Sequence, residues 1–303
     1  MSKFWHNFPE ISKDFQINFG QGDTPIKKIS IYDSQILIKN ELANPNMSFK
    51  DRGVSYQIAR HMQEGNNEYA ISSSGNAAIT ATYIAKQYEI KLTIFLSENI
   101  NNEKLKKIAT FANESKNITI IKSKKPRSDL FKFIFDNRCI NLRGSTDKYA
   151  QVGYESIATE LVESGEDFDS IFIPASSGVS SIGVYNGFMK LGKKVQIHVC
   201  QTEKVNAIAK HFDFDFEIHN NSKADAITDK VGLRKREIIE IINTSKGFGW
   251  VISDSLLEEV RHDIKALIDF KPSYNSLLAL AGLKKAISSS KQIEKPVLLF
   301  SGL

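Results

Sequence analysis

Short apolar runs alternate along the chain with longer segments in which apolar residues recur at helical spacing. The apolar runs predict strands, and they read YAISSS, KLTIFL, NITIIK, FDSIFIP and KVQIHVC. The helical spacing predicts helices over Gly75 to Tyr88, Asn101 to Ala112 and Val179 to Leu191, with another near Glu203. A strand followed by a helix, repeated, is typical of parallel strands joined by crossovers. We therefore predict an α/β fold with helices on both faces of mostly parallel sheets.

One lysine, Lys50, stands where a turn-rich segment becomes a helix, inside NPNMSFKDRGVSYQIARHMQEG. Ser48 is a possible N-cap and Gly65 a stop, and three apolar residues lie between them at i, i+4 and i+8: Val54, Ile58 and Met62. A lysine held by the fold can form a Schiff base with a carbonyl group, and pyridoxal phosphate is the commonest cofactor of this kind. The alternative is an exposed lysine in the first turn of an ordinary helix.

A serine-rich turn joins the predicted strand YAIS to the next helix, and it consists of Ser72, Ser73, Ser74, Gly75 and Asn76. Free N–H groups at a helix start, together with serine hydroxyls, form a natural anion site. The alternative is a plain serine-rich N-cap.

A second turn of this kind follows the strand FDSIFI, and it contains Ser176, Ser177, Gly178, Val179 and Ser180. Such a turn at a helix N-terminus can point several backbone amides at one phosphate, with hydroxyls as further donors. If the turn requires a positive φ at position 179, valine there changes its shape.

The chain finishes with the apolar run Pro296 to Phe300, followed by Ser301, Gly302 and Leu303. The run is of strand type. Ser301 either has a function at the end of this strand or begins a frayed tail.

The motif SFKDRG, preceded by NPN and by GQGDTPI (Gly20 to Ile26), resembles threonine synthase and its relatives among the fold-type II pyridoxal phosphate enzymes. The resemblance extends from about Gly20 to the last residue. It implies that Lys50 is the catalytic Schiff-base lysine and that the loop Ser72 to Asn76 binds the substrate carboxylate. It also implies that Asn76 contacts the cofactor ring hydroxyl, that Ser176 to Ser180 hold the phosphate, and that Ser301 meets the pyridine nitrogen.

Three further segments are similar to this family. QVGYESIATE (Gln151 to Glu160) resembles the family segment GQKTIAYE, with Glu155 where lysine is common. The second similar segment is ADAIT, which begins at Ala224, and the third is Lys271-Pro272-Ser273, which matches an EPSGA-like segment. Threonine synthase also binds a substrate phosphate. Arg143 and Lys148, in NLRGSTDKY, are candidates for that role, or they belong to a solvated loop.

By the resemblance, a large cofactor-binding domain covers residues 1–39 and 145–303, and a small mobile substrate domain covers 40–144. The active site is expected in the cleft between them, and relatives are commonly homodimers. The implied activity is elimination or replacement at the β carbon of a small amino acid, most simply conversion of O-phosphohomoserine to threonine. Serine or threonine ammonia-lyase, a cysteine-synthase-like replacement enzyme, and a non-catalytic ligand-binding protein of the same fold are the alternatives.

The composition and charge of the chain limit the class of protein and the partners that we expect. The chain has 303 residues, a formal charge of +5 and 25% charged residues, which is ordinary for a globular protein. The basic run KSKKPR has no interleaved aromatic residues, so we expect no nucleic-acid partner. The N-terminus has no apolar signal core and no run is long enough to span a membrane, so we expect a cytoplasmic protein. The two cysteines are expected to be buried and reduced, and the histidines show no metal-ligand spacing.

Overall fold

A computed structural model of the protein describes residues 3–73, 75–100, 102–289, 291 and 293–302. The strands, numbered in chain order, are β1 (Ile26–Ile31), β2 (Ser34–Asn40), β3 (Glu68–Ser72), β4 (Lys91–Ser97), β5 (Ile118–Ser123), β6 (Ile140–Asn141), β7 (Ser170–Pro174), β8 (Gln196–Thr202), β9 (Gly249–Ile252) and β10 (Pro296–Phe300). The helices are α1 (Lys50–Gln63), α2 (Asn76–Gln87), α3 (Asn102–Ala112), α4 (Pro126–Asn137), α5 (Glu155–Glu163), α6 (Val179–Lys190), α7 (Lys235–Thr244), α8 (Asp254–Ile264) and α9 (Tyr274–Ser288).

The predicted strands and helices are confirmed to within a few residues, with one exception near Glu203. The residues after β8 form bends and a 3-10 turn at Ala209–His211 instead of an α-helix. The side-chain oxygen of Gln201 accepts hydrogen bonds from the amides of Ile208 and Ala209, at 2.8 and 2.9 Å. An α-helix would pair those amides with its own carbonyls, so the apolar spacing here reflects burial and not helix.

Contacts between Cα atoms group the chain into two compact units. The first unit comprises Met1–Gly22 and Lys50–Gly153, and the second comprises Asp23–Phe49 and Tyr154–Leu303. The domain boundaries expected from the family resemblance, 40–144 for the smaller domain, stay a prediction.

The first unit is built on a parallel sheet. Within the described residues its strand order is β5-β4-β3-β6, and the register pairs Tyr69 with Ile140 and Ala70 with Asn141. Helices α1 and α2 pack against each other beside this sheet. Parallel strands buried in this way are typical of α/β proteins.

The second unit contains a sheet of order β1-β2-β10-β7-β8-β9, in which only the β1–β2 hairpin is antiparallel among the described strands. Phe172 and Cys200 lie against Gly282 of α9, where an added Cβ would come 2.4 Å from the Cys200 sulfur. Successive strand residues point to opposite faces, so the buried Ile171 and Ile173 face away from α9. Both faces of this sheet are therefore covered, as the α/β prediction requires.

The structure also bears on membrane spans, metal sites and the two cysteines. In the part of the chain that the structure describes, no helix is both long and apolar enough for a membrane span, and no group of three or more His, Cys, Asp or Glu side chains could hold a metal ion. Cys139 and Cys200, both described, are buried and form no disulfide, and burial raises the pKa of the Cys200 thiol. The thiols are therefore packing groups of the core.

Candidate active site

Lys50 is the first residue of α1 and is half-buried. The residue before it, Phe49, donates its backbone N–H to the carbonyl of Ser301 at 3.0 Å. Ser48 is fully buried, and its hydroxyl donates to the same carbonyl at 3.3 Å. The residue directly before the helix is Phe49, and the role of Ser48 as N-cap stays a prediction. The helix continues to Gln63, and Gly65 follows with φ +85°, as the expected stop.

The serine-rich turn follows β3 and leads into α2. Ser72 is the last residue of β3, and Asn76 is the first of α2, so Asn76 lies at the positive end of that helix. The hydroxyl of Ser73 accepts the N–H of Gly75 at 3.3 Å. Ser74 lies outside the described residues. The structure thus gives Ser73, Gly75 and Asn76 the loop-to-helix placement that an anion site needs.

Arg143 follows β6, the neighbour of β3 in the sheet. The backbone N–H of Leu142 donates to the carbonyl of Ala70 at 2.9 Å. The strand β6 ends at Asn141, and the backbone N–H of Arg143 donates to the side-chain oxygen of Asn141 at 2.9 Å. Arg143 is half-buried, whereas Lys148 is exposed with its amine 4.6 Å from the Tyr149 ring centroid. Of the two candidate cations, Arg143 is therefore the half-buried one, and it lies two residues beyond β6, the strand that pairs with β3.

The second turn joins β7 to α6 and requires one left-handed residue. That residue is Gly178, with φ +80° and ψ 1°, and α6 begins immediately after it at Val179. Val179 is not among the positive-φ residues of the described chain. Valine at position 179 is therefore compatible with this turn, and only position 178 requires glycine.

The hydroxyl of Ser176 has its O–H group available as a hydrogen-bond donor. It accepts the backbone N–H groups of Thr228 and Asp229 at 2.9 and 3.0 Å, so both of its lone pairs are occupied and its O–H remains. Thr228 belongs to the segment ADAIT, whose similarity to the family thus coincides with a direct contact to the turn. The sequence alone did not indicate this contact.

Ser181 was not singled out from the sequence, yet its position is informative. Its side chain is fully buried in the first turn of α6, and its hydroxyl has no hydrogen-bond partner among the described residues. A buried hydroxyl is normally paired, which points to an acceptor supplied from elsewhere. Together with the free N–H groups at the start of α6 and the Ser176 O–H, it makes the turn fit a phosphate.

The C-terminal strand ends in an ordered and buried position. Ser301 is 7% exposed, and the backbone N–H of Gly302 donates to the Ser276 hydroxyl at 3.1 Å. The hydroxyls of Ser273 and Ser276 both donate to the Gly302 carbonyl. Gly302 has φ +140°, and a Cβ there would lie 2.8 Å from the carbonyl oxygen of Met47. The alternative that Ser301 begins a frayed tail is therefore wrong.

Parallel-stranded α/β units, a lysine at a helix start and a turn that fits phosphate are each compatible with a cofactor-dependent α/β enzyme. The family model described as "Pyridoxal-phosphate dependent enzyme" matches residues 17–302, and the chain belongs to that family. Its cofactor is therefore pyridoxal phosphate, and the turn Ser176 to Ser181 is compatible with its phosphate group, although the role of this turn stays a prediction. The roles of Lys50, Asn76 and Ser301 stay predictions.

The relatives within this family have several activities. A threonine synthase from Bacillus sp. (strain ULM1) is 25% identical over 93% of this chain and 82% of its own length. A biosynthetic L-threonine dehydratase from Lactococcus lactis subsp. lactis (strain IL1403) is 22% identical over 90% and 72%. The structure of maize serine racemase superposes with a TM-score of 0.79 at 17% identity, over 92% of this chain and 87% of that one, which shows a shared fold.

Proposed function

We propose that this enzyme catalyses elimination or replacement on a small amino acid, with threonine synthesis from O-phosphohomoserine as its reaction, in which phosphate leaves the γ carbon and water adds at the β carbon. The observation that carries the proposal is the buried Ser301, whose carbonyl accepts the N–H of Phe49, the residue before Lys50. A serine hydroxyl, unlike a carboxylate, does not hold a pyridine nitrogen protonated. A serine hydroxyl at the pyridine nitrogen therefore suits elimination and replacement better than transamination.

Each group in the proposal has a defined task. When bound, pyridoxal phosphate supplies a conjugated ring that stabilises negative charge at the substrate Cα. The Lys50 amine would hold the cofactor and would carry the Cα proton of the substrate. The loop Ser72 to Asn76 binds the substrate carboxylate, and Asn76 orients the ring hydroxyl. Hydroxyls and amides of Ser176 to Ser181 hold the phosphate.

Replacing Lys50 by alanine tests the role of the lysine. We expect Lys50→Ala to lose turnover and the visible absorbance of the bound cofactor, because no amine is left to hold it covalently. Borohydride reduction of the wild type should add the mass of the cofactor less one oxygen atom to the peptide that contains Lys50, because imine formation releases water and reduction adds two hydrogens. The exposed Lys106 provides the control variant Lys106→Ala. Undiminished turnover of Lys50→Ala, or a wild type without visible absorbance, contradicts the proposal.

Arg143 supports a phosphorylated substrate. Arg143 is half-buried and follows β6, which pairs with the strand that ends at Ser72, and a guanidinium matches phosphate geometry. We expect Arg143→Gln to raise KM for O-phosphohomoserine at least tenfold while the reaction of unphosphorylated serine changes less than twofold. Lys148→Gln, on the same loop but exposed, should change neither. Equal losses for both substrates would remove Arg143 from the proposal.

Serine or threonine ammonia-lyase is the second candidate, and the similarity to a threonine dehydratase over 90% of this chain favours it. O-phosphohomoserine, threonine, serine and O-activated serines should therefore be assayed side by side. Phosphate release from the first alone supports threonine synthase. Keto-acid formation from serine or threonine supports the lyase, and turnover of O-activated serines alone supports a cysteine-synthase-like enzyme.

Two outcomes of the same panel contradict every form of the proposal. Conversion of L-serine to D-serine without loss of its hydroxyl indicates a racemase, as in the maize neighbour. Bound cofactor with no reaction of any substrate indicates a protein that uses this fold for ligand binding only.

A further inference from the structure

Asp51 follows Lys50 directly and is fully buried. Its carboxylate accepts a hydrogen bond from the hydroxyl of Thr80 at 2.6 Å, and Thr80 is also fully buried. The bond joins the first turn of α1 to α2, within the first unit. Hydrogen bonds to a carboxylate are shorter and stronger than those between neutral groups, and burial strengthens them further.

Thr80 is four residues after Asn76 on the same helix. Side chains at i and i+4 lie on one face of an α-helix, so Asn76 and Thr80 point the same way, one turn apart. The Asp51–Thr80 bond therefore fixes the turn that presents Asn76 relative to the turn that begins with Lys50. Neither Asp51 nor Thr80 needs to touch the cofactor to have this effect.

We propose that Asp51 and Thr80 form a positioning pair that sets the placement of Asn76 relative to Lys50. This inference rests on the proposed function for the roles of Lys50 and Asn76. The bond itself is a property of the cofactor-free chain. Loss of the bond lets the start of α2 move against α1, which loosens the cofactor ring between a fixed lysine and a mobile asparagine.

The test compares two valine variants of one helix. Thr80→Val removes the hydroxyl that reaches Asp51 and keeps the shape of the side chain. Thr82→Val is the matched control, because Thr82 is also fully buried on α2 but its hydroxyl donates to the carbonyl of Ala78 in its own helix, at 2.6 Å. Thr80→Ser keeps the hydroxyl and should restore the wild-type values.

The first measurement is amide hydrogen exchange of the cofactor-free proteins. The N–H groups of Ala78 and Ile79 donate to the Gly75 carbonyl at the start of α2, so they report on this turn. We expect at least tenfold faster exchange at these two amides in Thr80→Val and less than twofold change in Thr82→Val. The second measurement is the Kd for pyridoxal phosphate, which should rise at least tenfold in Thr80→Val alone.

The possible outcomes separate this inference from the proposed function. Equal effects in the two valine variants mean that the hydroxyl of Thr80 has no special role, and the positioning pair is wrong. If Thr80→Val does not fold, Thr80→Ser and Thr80→Ala, which differ by the hydroxyl alone, give the same comparison. If the wild type binds no pyridoxal phosphate, the proposed function fails, while the exchange rates of Ala78 and Ile79 still decide whether the bond orders α2.

Discussion

Two independent features disfavour a side chain at position 178. Its φ of +80° is in the left-handed region, which costs an L residue about 1–2 kcal/mol. A Cβ on Gly178 would also lie 1.9 Å from the Cδ1 atom of Ile238 on α7. The residue that opens the phosphate-fitting turn is therefore constrained by its own backbone and by its neighbour.

Alanine at position 178 should damage the turn more than its backbone strain alone explains. We expect Gly178→Ala to lower the free energy of unfolding by about 2–4 kcal/mol, from strain and from displacement of Ile238, and to weaken pyridoxal phosphate binding at least tenfold. Gly192→Ala, beyond the other end of α6, is the matched control. Gly192 has φ +66° and nothing within 4 Å of an added Cβ, so only the strain should appear there. Urea unfolding measures the loss of stability, and cofactor titration measures the loss of binding. Equal losses in Gly178→Ala and Gly192→Ala would contradict this account.

Among the elements, β2 and α5 are joined by a buried ion pair. The Lys39 amine lies 2.6 Å from the Glu160 carboxylate, and their side chains are 1% and 11% exposed. Glu160 also accepts the backbone N–H of Asp23 at 2.9 Å, and the hydroxyl of Thr24 donates to Glu41 at 2.6 Å. The segments GQGDTPI and QVGYESIATE are therefore parts of one polar network that fixes the approach to β1.

Removing one partner of this pair should be costly, because it leaves a buried charge without its counter-ion. We expect Glu160→Gln to lower the free energy of unfolding by about 3–5 kcal/mol. Asp269→Asn removes the partner of Lys27 on β1, an exposed pair, and should cost less than about 1 kcal/mol. Urea unfolding of both variants makes the comparison. A small loss in Glu160→Gln would mean that water or another group replaces the carboxylate.

The sequence predicts those elements whose signal is local, such as the strand KLTIFL and the start of a helix at Lys50. It does not predict contacts between distant segments. The Ser176 hydroxyl is oriented by the amides of Thr228 and Asp229, and Ser301 is fixed by the backbone before Lys50. The misassigned helix near Glu203 has the same origin, because a single glutamine side chain outcompetes the helical pairing of its amides. Residue types thus locate the candidate site, whereas long-range hydrogen bonds determine which atoms are available there.

At the scale of the whole molecule, a buried histidine makes stability depend on pH. His198 of β8 stacks on Phe172 at 4.3 Å and accepts the indole N–H of Trp250 at 3.1 Å. Burial, with a smaller effect of the Lys291 charge, lowers the pKa of His198 to about 3. In the unfolded chain the pKa of histidine is about 6.5. The unfolded chain therefore binds a proton between these values while the folded chain does not.

The free energy of unfolding should accordingly be highest above pH 6.5 and decrease as the pH falls toward 3. This one group should contribute a loss of about 2 kcal/mol between pH 7 and pH 5. His198→Phe should be less stable at every pH, because Trp250 loses its acceptor, but with a flatter slope. The exposed His219 gives the control His219→Asn, which should keep the wild-type slope. Urea unfolding at several pH values tests this, and an unchanged slope in His198→Phe would contradict it.

Strand β10 lies between β2 and β7 in its sheet, although it follows both in the chain. During synthesis, the ribosome therefore releases the two halves of that sheet long before the strand that joins them. The first unit's sheet has no such gap, since its strands all lie between Glu68 and Asn141. A nascent chain should accordingly complete the small sheet early and expose unpaired edges of β2 and β7 to chaperones until β10 emerges.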